Sequence, residues 1–264
     1  MIDGIEYAIA AALAGVLLGS FLNVCIYRIP RDVSVVAPRS FCPECGTPVR
    51  WYDNIPVISY LLLDGKCRSC RQPIGIRYPI VEMATAILFA VTTLRYGWTL
   101  ATLKWMIFES LVVVLFWTDW EERLLPDEFT LGGTVIGLIL AAFVMTPGIL
   151  GPLFLPAWKP AWQSLFNSTI GAAFLTGPIW ILGVLYKAVR KREGLGFGDV
   201  KLLVLVGVFL GLENGLITLF FGAVGGAVVG LIFVFGTKKS FSETELPFGS
   251  FLCAAAAIVP LVNR

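Results

Sequence analysis

Long apolar blocks separated by short polar loops are the feature that most constrains the fold of this chain. Hydrophobic residues make up 57% of its 264 residues and charged residues 14%, whereas an ordinary soluble domain is about 25% charged. The apolar residues form continuous blocks, which is typical of membrane-spanning helices and not of amphipathic surface helices. The sequence therefore predicts an all-α polytopic membrane protein.

We expect about eight transmembrane helices, and we treat the first as retained because the chain lacks a signal-peptide cleavage motif there. The predicted spans are 7–26, 80–95, 102–118, 129–146, 167–187, 199–212, 215–236 and 248–262. Lysine and arginine concentrate in the loops of one side, and such loops normally face the cytoplasm. The predicted cytoplasmic loops are 27–79, 119–128, 188–198 and 237–247.

Two pairs of cysteines, Cys42 with Cys45 and Cys67 with Cys70, lie in the first of these loops. Each C-x2-C pair can offer two thiolates to one ion, and two pairs complete the closed four-sulfur site that is typical of structural zinc. A cytoplasmic position argues against disulfide bonds. The alternative is that these cysteines are redox-active or simply packed.

Two aspartates lie where apolar runs meet polar loops. Asp119 closes the third run, and Asp199 opens the sixth after Gly194, Gly196 and Gly198. Acidic side chains are costly in or beside a membrane, so their presence there suggests a function. The chain has no histidine, which excludes a Ser-His or Cys-His nucleophile. Two carboxylates that share one proton can still activate water against an amide bond, as in aspartic proteases.

Structural explanations stay open for each acidic residue taken singly. Asp199 has the position of a helix N-cap, and Asp119 could be a solvated charge at the membrane interface. Asp127 competes with Asp119 for the catalytic role, but it follows a proline and precedes an apolar run, which favours an N-cap. Glu109 in the third run and Lys201 after Asp199 are compatible with either a structural or a functional role.

Further motifs lie between these residues. They are GSFLNVCIYRIP at 19–30, WYDNIP at 51–56, RYPIVE at 77–82, PD at 126–127 and GFGDVK at 196–201. Together with the aspartates and the four cysteines, they make nearly the whole chain resemble the bacterial prepilin peptidases of type IV pilus, type II secretion and competence systems. That family combines leader peptidase and N-methyltransferase activities. One departure is Ser250, where the family often has proline.

The resemblance implies that Asp119 and Asp199 are catalytic, and that the chain cleaves prepilins or pseudopilins after a glycine on the cytoplasmic side of the membrane. It also implies methylation of the new N-terminal residue by S-adenosylmethionine, with Glu82 as a residue of the methyl-transfer site. We expect the inner membrane as location, membrane lipid as surroundings and no nucleic-acid partner. The expected regions are a first helix at 1–26, a zinc-binding region at 27–79 and a peptidase domain at 80–264.

Other functions remain compatible with the sequence. A proton-coupled transporter could use the same acidic residues as a relay, although transporter acids cluster near the bilayer midplane and these aspartates lie at span ends. An assembly factor would bind pilins without cutting them. A relative with only peptidase activity would release cleaved, unmethylated product.

Overall fold

The computed structural model describes residues 2–191, 196–237 and 247–262. Within these ranges the chain forms helices and loops, and its only extended pairings are two isolated bridges. The helices are α1 (Ile2–Arg28), α2 (Ile58–Leu62), α3 (Arg77–Tyr96), α4 (Leu100–Glu122), α5 (Asp127–Ala141), α6 (Leu150–Phe154), α7 (Pro160–Arg190), α8 (Phe197–Thr237) and α9 (Phe248–Val262). This confirms the all-α fold class.

Each predicted apolar run contains a helix, although the run 129–146 is helical only as far as Ala141, and two of the runs fall in α8. Gly211 divides α8, because its φ of 72° and ψ of −174° are not helical. Five helices of the described residues are long and apolar enough to cross a membrane, which agrees with a multi-pass membrane protein. They are Gly4–Arg31, Arg77–Tyr96, Leu100–Glu122, Pro160–Arg190 and Phe197–Phe233. The number of eight crossings therefore stays a prediction.

The chain divides into two compact units, 1–102 and 103–264. In the first unit, α1 packs closely on α3 because glycines stand at the contact. A Cβ atom at Gly15 would lie 2.7 Å from the Cα of Ala86, and one at Gly19 would lie 2.7 Å from the Cα of Glu82. Small residues let membrane helices approach in this way, and the contact fixes Glu82 beside α1. The predicted region boundaries at 26 and 79 stay a prediction.

The second unit is organised around α8, which packs against α5, α7 and α9. At the crossing of α7 and α8, a Cβ atom at Gly207 would lie 2.5 Å from the Cα of Ala172. On the side of α5, a Cβ atom at Gly137 would lie 2.5 Å from the ring of Phe209. These contacts hold the first half of α8, and with it Asp199, against its neighbours.

We expect Gly207→Ala to lower the thermal unfolding midpoint of the purified protein in detergent. The new methyl group would meet backbone atoms of α7, which cannot turn away as a side chain can, and such overpacking costs about 1–3 kcal/mol. The measurement is a thermal melt followed by circular dichroism. Gly132→Ala is the control, because nothing lies within 4 Å of its Cβ position and alanine favours a helix. Equal melting of both variants would contradict the close crossing.

Candidate functional site

Asp119 lies in the last turn of α4 and is buried, with 6% of its surface exposed. Its Oδ2 atom accepts two hydrogen bonds from Ser250, one from the backbone N–H at 2.6 Å and one from the hydroxyl at 2.7 Å. A Cβ atom at Gly249 would lie 3.1 Å from both Cγ and Oδ2 of Asp119. The first turn of α9 therefore lies directly on this carboxylate, and glycine is required for that approach.

Asp199 is the third residue of α8 and is half-buried. Its backbone N–H donates to the carbonyl of Gly196 at 3.1 Å. A Cβ atom added at Gly196 would lie 3.3 Å from Oδ2 of Asp199. The N-cap interpretation of Asp199 is therefore wrong, because α8 begins two residues earlier, at Phe197. Gly194 lies outside the described residues.

The structure brings the two predicted catalytic aspartates together. Leu125 lies between the glycines that adjoin them, because its Cδ1 atom is 3.2 Å from the Cβ positions of both Gly198, which precedes Asp199, and Gly249, which contacts Asp119. The charges of Asp119 and Asp199 interact with each other, and both interact with the buried thiol of Cys253 on α9. Three chain segments that are far apart in sequence thus meet around two carboxylates.

Asp127 and Lys201 form an ion pair between α5 and α8. Lys201 also lies over the ring of Phe197, with its Nζ 5.1 Å from the ring centre. Asp127 is the first residue of α5, after Pro126 as N-cap, so the N-cap interpretation of Asp127 is wrong as well. The pair joins the start of α8 to the start of α5. Glu109 is fully buried within α4.

The four cysteines form one cluster, in which all Sγ atoms lie within 4.8 Å of one another. The Sγ atoms of Cys42 and Cys70 are 3.9 Å apart, and a tetrahedral site with Zn–S bonds of about 2.3 Å has S···S edges of about 3.8 Å. Hydrogen bonds with the side chain and the backbone of Thr47 lower the pKa of the Cys45 thiol to about 6, which favours the thiolate that binds metals. The residues fit a single tetrahedral metal ion.

The two cysteine pairs stand on matching turns. The N–H of Cys42 donates to the carbonyl of Thr47, and the N–H of Cys67 donates to the carbonyl of Gln72. The residue after each second cysteine has a positive φ, 69° at Gly46 and 62° at Arg71. This repeated turn aims two sulfur atoms of each pair at the same point.

An ion pair joins the spacer between the cysteine pairs to the second pair. Arg68 donates to both carboxylate oxygens of Asp53, at 2.8 Å and 2.6 Å. The hydrogen bonds from Arg68 lower the pKa of Asp53, so the pair stays charged at neutral pH. The spacer is thereby fixed against the cysteine cluster.

A cavity of about 380 Å³ lies within the first unit. Its lining comes from α1, from the cysteine loop and from α3, and includes Asn23, Tyr27, Cys42, Val57, Cys67, Tyr78 and Glu82. Glu82, the residue predicted for methyl transfer, is buried, and its Oε2 atom accepts the backbone N–H of Val57 at 2.7 Å. Val57 has a φ of 59°, which is strained for a β-branched residue.

Ser250 and Val57 make contacts that the sequence does not predict. Ser250 was visible only as a departure from a family pattern, and its contact with Asp119 spans 131 positions of the chain. Val57 follows a proline in the 51–56 motif, but nothing in the sequence indicates that its N–H pairs with Glu82.

Comparison with known proteins gives two family matches, which fall in the two compact units of the chain. Residues 13–96 match a family model described as the bacterial peptidase A24 N-terminal domain, and residues 106–231 match the model of the type IV leader peptidase family. The cysteines and Glu82 fall in the first match, and both aspartates fall in the second. No solved structure matches the chain significantly.

Curated relatives match most of the chain, and three of them carry the name prepilin leader peptidase/N-methyltransferase. The relative from Myxococcus xanthus is 37% identical over 90% of this chain and 67% of its own length. The relative from Neisseria gonorrhoeae is 32% identical over 96% of this chain and 90% of its own length. The relative from Pseudomonas aeruginosa is 31% identical over 97% of this chain and 91% of its own length.

Proposed function

The chain belongs to the type IV leader peptidase family, and on this premise we propose that it removes the leader peptide of prepilins and methylates the new N-terminal residue. Both activities stand in the names of relatives that match this chain over nearly its whole length. The methyl donor for such a reaction is S-adenosylmethionine. The substrates are type IV prepilins or type II secretion pseudopilins.

Asp119 and Asp199 form the peptidase dyad. The observation that carries this assignment is the convergence of the segments that bear the two carboxylates, since Gly198 beside Asp199 and Gly249 against Asp119 both contact Leu125. One carboxylate takes a proton from water while the oxygen of that water attacks the carbonyl carbon of the scissile bond. The other, which is protonated, gives its proton to the carbonyl oxygen. The resulting tetrahedral intermediate breaks its C–N bond, and the leaving amine takes up a proton.

The surroundings of the dyad suit a peptide that enters in an extended form. The segment before α8 contains Gly196 and Gly198, and glycine lets another backbone approach closely. Both aspartates lie near helix ends, so a peptide bond can reach them without unwinding a central part of a helix. Lysine and arginine in the neighbouring loops support a cytoplasmic position of this end, in the inner membrane.

The cavity beside Glu82 is the methyl-donor site. Its volume of about 380 Å³ lies within the range of small-molecule sites, about 300–1,000 Å³. S-adenosylmethionine supplies a methyl group on a positively charged sulfonium, and the buried carboxylate of Glu82 would complement that charge. Tyr27 and Tyr78 supply aromatic surface in the same lining. The hydrogen bond from the backbone N–H of Val57 to Glu82 holds the carboxylate against the cysteine loop.

The four cysteines hold a structural zinc ion. Four sulfur ligands close the tetrahedron and leave no position for a catalytic water. Because Cys42 and Cys67 also line the cavity, the ion would shape the wall of the methyl-donor site. The three regions, 1–26, 27–79 and 80–264, correspond to a first helix, this zinc-binding region and the peptidase domain.

The dyad predicts that Asp119→Asn and Asp199→Asn each abolish leader cleavage, by at least about 10²-fold, because neither variant can share the catalytic proton. The measurement is intact-mass analysis of a glycine-leader prepilin after incubation with purified protein. Asp127→Asn is the matched control, because this exposed ion pair contributes at most about 1 kcal/mol and the variant should retain most of the activity. Normal cleavage by either dyad variant would rule out the dyad.

The cavity predicts that Glu82→Gln abolishes methylation and preserves cleavage, because the amide cannot complement the positive charge of the donor. Both products are resolved in one intact-mass experiment, so retained cleavage also reports that the protein is folded. Binding of S-adenosylmethionine, measured by equilibrium dialysis, should weaken in parallel. Glu6→Gln, on an exposed part of α1, serves as the control. Unchanged methylation by Glu82→Gln would remove this residue from the site.

The cysteine cluster predicts one zinc ion per chain, and Cys42→Ser should reduce the zinc content and the methylation rate while sparing cleavage. Elemental analysis of protein purified without added metal gives the stoichiometry. Cys25→Ala is the control, since Cys25 is a buried cysteine outside the cluster. Equal zinc content in wild type and Cys42→Ser would argue against the four-sulfur site.

A further inference from the structure

The two aspartates differ in the hydrogen bonds that they receive. Ser250 donates both its backbone N–H and its hydroxyl to Oδ2 of Asp119. Ser250 is the third residue of α9, so its N–H belongs to the first turn, where backbone donors have no acceptor within the helix. These two hydrogen bonds stabilise a negative charge on Asp119.

Asp199 lies in the first turn of its own helix, α8, but its carboxylate receives no comparable hydrogen bonds from the described residues. Its own N–H donates to Gly196, and within 2–191, 196–237 and 247–262 no N–H or O–H group donates to its carboxylate. When two carboxylates share one proton, the proton resides on the member whose charge is less well stabilised. The difference in hydrogen bonding therefore favours the arrangement in which Asp199 carries the shared proton and Asp119 is ionised.

We propose that Ser250 is a positioning residue that holds Asp119 in the ionised state, so that Asp119 takes the proton from water and Asp199 donates its proton to the scissile carbonyl. This assignment rests on the proposed peptidase function. In the forward step, a proton moves from water to Asp119 and another moves from Asp199 to the carbonyl oxygen, while the water oxygen bonds to the carbonyl carbon. As the C–N bond of the intermediate breaks, Asp119 gives its proton to the leaving amine and Asp199 takes the proton of one hydroxyl, which restores the starting arrangement.

The hydroxyl of Ser250 has a second acceptor that suits this cycle. It lies 3.1 Å from the carbonyl oxygen of Phe116, one turn before Asp119. A hydroxyl has one proton, so it donates either to Asp119 or to Phe116. Once Asp119 is protonated, the hydroxyl can donate to Phe116 and accept from the carboxylic acid. Ser250 thus keeps a satisfied hydrogen bond in both protonation states.

Kinetics of Ser250 variants test the positioning role. Ser250→Ala removes one donor and should lower the kcat of cleavage about tenfold, with KM nearly unchanged, because a hydrogen bond to a charged group is lost and no substrate contact is altered. Ser250→Thr keeps both donors and should restore the rate. Ser110→Ala is the matched control, since its hydroxyl donates to Met106 within α4.

Methylation of an already cleaved pilin peptide reports on the first unit, which holds the methyl-donor cavity, and a thermal melt followed by circular dichroism reports on the second unit, which holds Ser250. Both should be unchanged in the two Ser250 variants. Wild-type cleavage by Ser250→Ala would overturn the proposal. Equal loss of cleavage and methylation would also overturn it, because Ser250 would then act on the fold as a whole.

Infrared difference spectra at neutral pH test the charge assignment directly. Subtracting the Asp119→Asn spectrum from that of wild type should reveal the antisymmetric stretch of an ionised carboxylate. The same subtraction for Asp199→Asn should reveal the carbonyl stretch of a protonated carboxylic acid. The reverse pattern, or two ionised groups, would overturn the assignment and leave the dyad intact. Unimpaired cleavage by either Asn variant would instead refute the proposed peptidase function.

Discussion

A carboxylate buried among apolar helices stays charged only if hydrogen bonds replace the water that it has lost. Asp119 meets this condition through two donors from one residue of α9. These bonds form only because α9 lies close to α4. Gly249 permits this approach, because any side chain there would meet the carboxylate. The hydrogen bonds of Asp119 thus depend on the close packing of α9 on this carboxylate.

Glycine contacts have the same role elsewhere in the chain. Gly207 brings α8 against α7, and Gly15 and Gly19 bring α1 against α3. In a membrane, the hydrophobic effect does not drive helices together, so close van der Waals contact between small residues contributes much of the association. The functional side chains of each unit project from helices that are held in this way. Glu82 stands at such a contact, and Asp199 stands at the start of a helix that has one.

The elements that the sequence predicted well are those whose signal is local. Apolar runs located the helices, and the C-x2-C spacing identified Cys42, Cys45, Cys67 and Cys70 as a cluster before any coordinates. Asp119 and Asp199 were singled out by their positions at the ends of apolar runs. Even the division of α8 was anticipated, since two runs were predicted on either side of a short gap that lies close to Gly211.

The elements that the sequence could not supply are pairings between distant segments. Nothing near Ser250 indicates that it faces Asp119, because the partner is determined by how α9 packs on α4. The pairing of Asp127 with Lys201 was missed for the same reason, although the separate roles of both residues had been considered. The bond between Glu82 and Val57 depends on an unusual backbone conformation, which a β-branched residue rarely adopts and a sequence pattern does not reveal.

The position of α9 also bears on when this protein can become active during its synthesis. Both aspartates are made well before Phe248, so a nascent chain contains the two acidic side chains while the donors that stabilise Asp119 are still missing. Under the mechanism that we propose, the shared proton would have no preferred carboxylate in that interval, and the arrangement proposed for hydrolysis would be incomplete. Insertion of the last described helix would then act as the step that completes the peptidase, after the rest of the second unit has entered the membrane.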